Sequence, residues 1–137
     1  MIEVDGTFTV IGDLADKEFL DLGMGGAGNI GTFDEVLYEA VSPDSWDKGE
    51  EVGRAHGFFV ITPGDHAVVV VTLAFGEGGD EEGSLDSVTA QGSLPRDGDD
   101  VGRGVLTLAG GTGRFKGRTG QVRVDVMNPH KYTVEPL

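Results

Sequence analysis

Short runs rich in valine, threonine and phenylalanine recur along the whole chain, and glycine or a turn cluster cuts off each one before it reaches helix length. Twenty-four of the 137 residues are glycine, far above the roughly 7% of ordinary soluble proteins. They are dispersed between the apolar runs with no fixed period, so collagen-like and low-complexity chains are excluded. What remains is a protein of many short strands.

The runs can be placed. EVDGTFTVI (3–11) alternates and is β-branched; ADKEFLDLG (15–23) fits a short helix or a strand, and GMGGAGNIG after it reads as a loop. TFDEVLYEA (32–40) is open between strand and helix, with Phe33 and Leu37 sharing a face if it is extended. VGRAHGFFVIT (52–62) reads as a strand in which Gly57 marks a bulge or bend. HAVVVVTLAF (66–75) is the strongest strand signal; SLDSVTAQGSL (84–94), VLTLA (105–109), QVRVDVM (121–127) and a short terminal strand follow. About eight strands with turns between them predict a sandwich or a closed antiparallel barrel. Val68 to Val71 is apolar on both faces, whereas a wall with one solvated face should alternate. That predicts packing against another subunit, or a lumen and exterior that are both dry.

Length predicts one domain, residues 1–137, with a single core. A net charge of −14 speaks against nucleic acid and anionic membranes as partners. With no cysteine there is no disulfide, Cys-ligated zinc or thiol nucleophile. The acidic start MIEVDGTFTV does not look like a secretory signal, and no run approaches the ~18–20 apolar residues of a membrane helix, so a cytoplasmic protein is expected.

Motifs for common enzyme chemistry are incomplete. GGTGRFKGRTG (110–120) has the glycines of a phosphate loop, but Lys116 is followed by Gly117 rather than by serine or threonine, and a strand follows instead of a helix. The expectation is architectural: glycines supply bends between strands, Phe115 folds back as an apolar plug, and the arginines stay solvated. Gly23, Gly25 and Gly28 spell a dinucleotide fingerprint without a βαβ unit around it. DGDD (97–100) begins like a calcium loop, but Val101 and Leu108 stand where ligands belong; GGDEEG (78–83) is similarly incomplete. His56, His66 and His130 lack metal-ligand spacing and read as surface or packing residues. No metal and no cofactor are expected.

Three stretches carry a resemblance to the allene oxide cyclase and dirigent barrel superfamily. GNIGTFDEVLYE (28–39) is similar to its glycine, phenylalanine and Leu-Tyr strand, and VGRAHGFFVIT (52–62) to the dirigent VGRAQGFYV strand. VLTLAGGTGRFKGRTGQVRV (105–124) resembles the shared strand, Gly-Gly-x-Gly, Phe and Gly, and next strand. They keep the family's order and spacing over roughly residues 28 to 135. The resemblance implies an all-β, closed antiparallel eight-stranded barrel with a central cavity, and often a homodimer or homotrimer. It also implies cofactor-free work on a hydrophobic small molecule. Plant allene oxide cyclases isomerise an epoxide, dirigent proteins guide radical coupling, and related bacterial barrels cyclise polyketides, some by Diels–Alder-type reactions. The plant cyclase's pocket asparagine falls at Glu35 and its cysteine at Phe59, which favours a bacterial-style cyclase over allene oxide chemistry. A non-catalytic dirigent-like binder and a purely structural module remain as alternatives.

By alternation, Ala55, Gly57, Phe59 and Ile61 would face inward on one strand and Phe33, Glu35 and Leu37 on another. A carboxylate in an apolar lumen is costly unless paired. Glu35 is therefore the candidate catalytic residue, orienting or polarising a substrate carbonyl, unless it is a structural partner of Arg123 or points to solvent from a helical segment. Tyr38, Gln91 and Tyr132 are polar candidates for the substrate site, beside Phe33, Leu37, Phe59, Ile61, Phe75 and Arg123; the phenylalanines could equally be barrel filling.

Overall fold

The structure, a computed structural model, describes residues 6–20, 28–64, 66–76, 86–97, 100–126 and 129–136. Among the described residues there are nine strands: β1 (Phe8–Leu20), β2 (Ile30–Ala40), β3 (Lys48–Ile61), β4 (His66–Phe75), β5 (Asp86–Asp97), β6 (Asp100–Val101), β7 (Gly104–Thr112), β8 (Gly120–Val126) and β9 (His130–Pro136). A single 3₁₀ turn, Gly113–Phe115, lies between β7 and β8. Eight of the strands close into an antiparallel barrel in the order β1-β2-β3-β4-β5-β7-β8-β9, with β9 returning to β1. The two-residue β6 pairs only with the end of β5. Closure rules out the sandwich and leaves no long free edge. Among the described residues no helix is long and apolar enough to cross a membrane.

Alternation explains the wall. Along β4, Ala67, Val69, Val71, Leu73 and Phe75 are buried inside, while His66 and Val68 are exposed. On β3, Ala55, Phe59 and Ile61 point into the same core, with Gly53 and Gly57 on their face. The segment 32–40 is strand and starts two residues earlier; its ladder with β3 and β1 outweighs the helical option. The sequence segments 3–11 and 15–23 merge into one strand over their described part. A register shift between Leu14 and Asp16 leaves Ala15 as the extra residue. Gly57 is not a bulge: it pairs regularly with Phe33 and Val71. Its missing side chain has another use, because a methyl group there would stand 2.6 Å from the Phe33 ring. The mirror arrangement lies two register positions along on the same face, where Phe59 covers Gly31 and a methyl on Gly31 would stand 2.2 Å from its ring.

The 110–120 segment is the plug it was expected to be. Gly113 (φ 62°) and Gly117 (φ 78°) take the left-handed conformations that turn the chain back. Phe115 is 1% exposed, and its ring centroid lies 5.8 Å from Phe8 and 5.4 Å from Phe75. These three rings close the barrel end that carries the β7–β8 connection. Arg114 is not simply solvated: its backbone N–H donates to Asp86 Oδ1 (2.9 Å) and its Nε to Oδ2 (2.8 Å). Chiefly through that backbone hydrogen bond, the Asp86 carboxyl is held below its ordinary 3.8; partial burial opposes the shift, and the side-chain bond and charge of Arg114 add to it. A depressed folded pKa contributes stability that is complete above the unfolded value and lost as pH falls through the folded one. Wild type should therefore exceed Asp86→Asn by about 1 kcal/mol or less at neutral pH. That gap should close below pH 3.8, as urea melts of both proteins at a series of pH values would register.

In the calcium-like 97–100 segment Asp97 of β5 pairs with Asp100 of β6; residues 98 and 99 lie outside the described residues, as do 78–83 and most of the Gly23–Gly28 motif.

On the outside, Phe58 (44% exposed) and Val68 (47%) stand among outward Ile30, Val60, Val70 and Val105. The ladders Ile30–Val60–Val68–Ser93 and Thr32–Phe58–Val70–Gln91–Thr107 form an uncharged band across the wall. The doubly apolar run of β4 thus has one face in the core and one in this band. A second exterior feature is compact: Lys131, 6% exposed, lies 4.5 Å above the Trp46 ring and donates to the Pro43 carbonyl at 3.3 Å. The β2–β3 connection is thereby strapped against the outside of β9.

Candidate functional site

Glu35 alternates with Phe33 and Leu37 on β2 and is completely buried. Its partners lie two strands away, across β1. The Tyr132 hydroxyl donates to Glu35 Oε1, and His130 Nδ1 lies 2.6 Å from Oε2. Tyr132 and His130 share the inner face of β9 at a spacing of two. Between them and Glu35 runs β1, where Gly12 is in register with both Leu37 and His130. A methyl on Gly12 would stand 2.9 Å from the Glu35 carboxyl carbon and 3.0 Å from the Tyr132 ring. The bare backbone at Gly12 is the saddle over which the carboxyl crosses.

This solves the problem of a carboxyl inside an apolar barrel, since each oxygen has a hydrogen-bonded partner. One proton is shared across the Glu35–His130 contact. Either the carboxylate accepts from Nδ1–H, or a protonated carboxyl donates to Nδ1. Both forms equip the trio for proton transfer at a substrate. Exposure grades the members: Glu35 is sealed, Tyr132 is 3% exposed and the His130 side chain 18%. Leu14, the register partner of Glu35, is 42% exposed at the β1 bulge, and Phe33 is half-buried with its ring centroid 6.4 Å from His130. Among the described side chains, Leu14, Phe33 and His130 thus give the inner face beside Glu35 its accessible surface.

The other sequence candidates divide cleanly. Leu37, Phe59 and Ile61 are interior and buried. Phe75 is interior too, but belongs to the aromatic plug at the closed end, 5.6 Å from Phe8. Tyr38, Gln91 and Arg123 face outward and do not line the interior. Tyr38 alternates away from Leu37 and carries Lys48 Nζ 5.2 Å above its ring. Gln91 is exposed between inward Ala90 and half-buried Gly92. Arg123 lies between inward Val122 and Val124, and its Nε is 3.3 Å from Glu135. The Glu35–Arg123 bridge is therefore absent, and His130 and Tyr132 occupy the carboxyl instead. His130 is the residue that sequence reasoning missed as a site member. Its signal was the period of two from Val134 through Tyr132, which places all three on one face.

No family model and no curated protein matches the sequence. Solved structures do share its fold. A pyocyanin demethylase superposes with a TM-score of 0.72 at 19% identity, over 96% of this chain and 99% of that one. Two pterocarpan synthase dirigent proteins superpose at 0.66 and 0.64 with 17% and 18% identity. They cover 95% and 96% of this chain, and 84% and 92% of theirs. These likenesses establish the barrel; a fold of this kind hosts more than one chemistry.

Proposed function

We propose that this barrel binds a hydrophobic small molecule at its interior and rearranges it without a cofactor, most specifically as a cyclase or isomerase acting intramolecularly on a polyketide intermediate. The observation that carries this reading is the fully buried Glu35, bridged over Gly12 to Tyr132 and His130 and surrounded by apolar side chains. Holding a flexible substrate in a reactive fold lowers the barrier by orientation, with effects of up to roughly 7–11 kcal/mol in well-aligned systems. The trio supplies the polar element: a proton leaves one substrate atom for Glu35 or His130 and returns at another, so the product is an isomer of equal mass. In a cycloaddition the Nε2–H of His130, present when Nδ1 accepts from the protonated Glu35 carboxyl, donates to a substrate carbonyl and polarises it, and two new C–C bonds form from π bonds with no net proton transfer. The dirigent and demethylase barrels support the reading through the shared fold alone.

The test is incubation of purified protein with hydrophobic metabolite extract, followed by chromatography and mass spectrometry. Catalytic consumption of one species with appearance of an isomer of identical mass is the expected result. Depletion capped at one equivalent, with the compound recovered on denaturation, would make the chain a dirigent-like carrier.

For a partner we propose a second copy of this chain, seated on the uncharged Phe58–Val68–Val70 band. Copies carrying −14 each repel, and a contact between them must avoid charged surface, as this band does. Light scattering should give a mass that is a multiple of 14.3 kDa. Val68→Glu should reduce it to the monomer value while leaving the interior trio intact.

A further inference from the structure

Resting on the interior trio as the working site, we infer that Lys131 is a positioning residue: clasped from outside by the β2–β3 connection, it sets the separation of β2 and β9 that the Glu35–His130 contact requires. Three neighbouring strands carry the site, with β1 between β2 and β9. Among the described residues no ladder joins β2 to β9 directly, so their spacing rests on what crosses β1. Inside the barrel, Glu35 of β2 passes over Gly12 to reach His130 of β9. Outside it, the chain leaving β2 passes over the same strand. There Lys131 Nζ donates to the Pro43 carbonyl at 3.3 Å and lies 4.5 Å above the Trp46 ring. Two bridges between the same two strands thus span β1, one on each face.

Register sets the two bridges back to back. Leu37, Gly12 and His130 stand in one row across β2, β1 and β9 on the inner face; Tyr38, Ile11 and Lys131 form the adjoining row on the outer face. Ile11 points away from the core, between inward Val10 and Gly12, yet it is completely buried, so this outer row is roofed. Lys48 lies 5.2 Å above the Tyr38 ring at one end of the roof, and Trp46 covers Lys131 at the other. The roof has its own bracing: the Val41 N–H donates to the Asp47 carbonyl (3.1 Å) and the Asp47 N–H to Ser45 Oγ (2.9 Å). An apolar side chain at 131 would cover Ile11 equally well, whereas an ammonium holds the carbonyl and the ring together. His130 is the first residue of β9 and the chain neighbour of Lys131. Strand ends open first, and proton transfer needs Glu35 and His130 within hydrogen-bond reach. The outer clasp holds that strand end, and with it the reach.

Nitrogen NMR of the histidine rings in the isotope-labelled full chain tests this, because the ring-nitrogen shifts of His130 register its contact with Glu35 directly. The exposed ring of His66 supplies the values of a solvated imidazole. In Lys131→Ala and in Trp46→Ala the His130 nitrogens are expected to move most of the way to those values. In Lys131→Arg, which keeps a cation for the indole and a donor for the carbonyl, they should stay at their wild-type positions. Trp46 is 37% exposed and belongs to no strand, so Trp46→Ala decides the matter even if Lys131→Ala does not fold. Phe115→Ala, which hollows the plug at the closed end, should leave the His130 nitrogens where they are. Unmoved nitrogens in Trp46→Ala overturn the positioning role and leave the clasp a structural bond. Movement in Lys131→Arg or in Phe115→Ala as large as in Trp46→Ala overturns it too, since neither the cation nor the place of the lesion would then matter. Wild-type nitrogens already at the His66 values would mean that His130 does not meet Glu35 in solution. That result overturns the trio on which the proposed function rests, and the role of Lys131 with it.

Discussion

Phe115→Ala is expected to lower the unfolding free energy of the barrel by roughly 3–5 kcal/mol, the range for deleting a buried aromatic ring. The ring is 1% exposed and touches two others, Phe8 and Phe75, which themselves meet edge to face at 79°. It enters the core from a tight turn and not from a strand, so its removal leaves the ladders intact and the plug hollow. The surroundings have little freedom to collapse into the hole. Gly111 already lies so close to the turn that a methyl there would stand 2.5 Å from the Phe115 carbonyl. Urea denaturation should show a lower midpoint with an unchanged slope. A loss under about 1 kcal/mol would mean that the rings do not form a sealed end.

Glu35→Gln is expected to lower turnover in the proposed rearrangement by roughly 10²- to 10⁴-fold, the usual contribution of a positioned acid–base group, while the barrel still folds. The amide oxygen can keep the Tyr132 hydrogen bond and the amide nitrogen can donate to His130, so no buried group is orphaned; what disappears is the transferable proton. Glu35→Ala is the harsher change, because the Tyr132 hydroxyl and His130 then lose the carboxyl they share and a void is left at a fully buried position. Gly12→Ala approaches the same carboxyl from a different strand. It should reduce turnover by displacing Glu35 from Tyr132 without altering either residue. Undiminished turnover in Glu35→Gln would reduce the trio to a structural bridge.

The barrel wall was legible in the sequence because period-two alternation is local. Phe33, Glu35 and Leu37 fall on one face whatever lies opposite, and the same rule ordered Ala55 through Ile61. The Glu35 partners were harder to read, since three strands and 95 residues of sequence separation have to be brought together before His130 reaches the carboxyl. Arg123 was the wrong partner although the rule that excludes it was available: Val122 and Val124 take the inner face and leave Arg123 outside. Tyr38 and Gln91 failed for the same reason, chosen for their polarity when parity placed them on the outer wall. Gly57 was misread because a glycine in a strand has two explanations, a bend or a missing side chain. Only the position of the Phe33 ring distinguishes them.

The crossed pair of β2 and β3, Phe33 over Gly57 and Phe59 over Gly31, constrains how such a barrel can change by mutation. Enlarging either glycine alone drives a new methyl into a ring, and shrinking either ring alone leaves a void above bare backbone. Both single steps lose stability, whereas the paired step, Gly31→Ala with Phe59→Leu, exchanges volume between neighbours. The interior can therefore be reshaped for a different ligand only along routes where one substitution conditions the next. Sequences that diverge at one member of a pair should be found altered at the other.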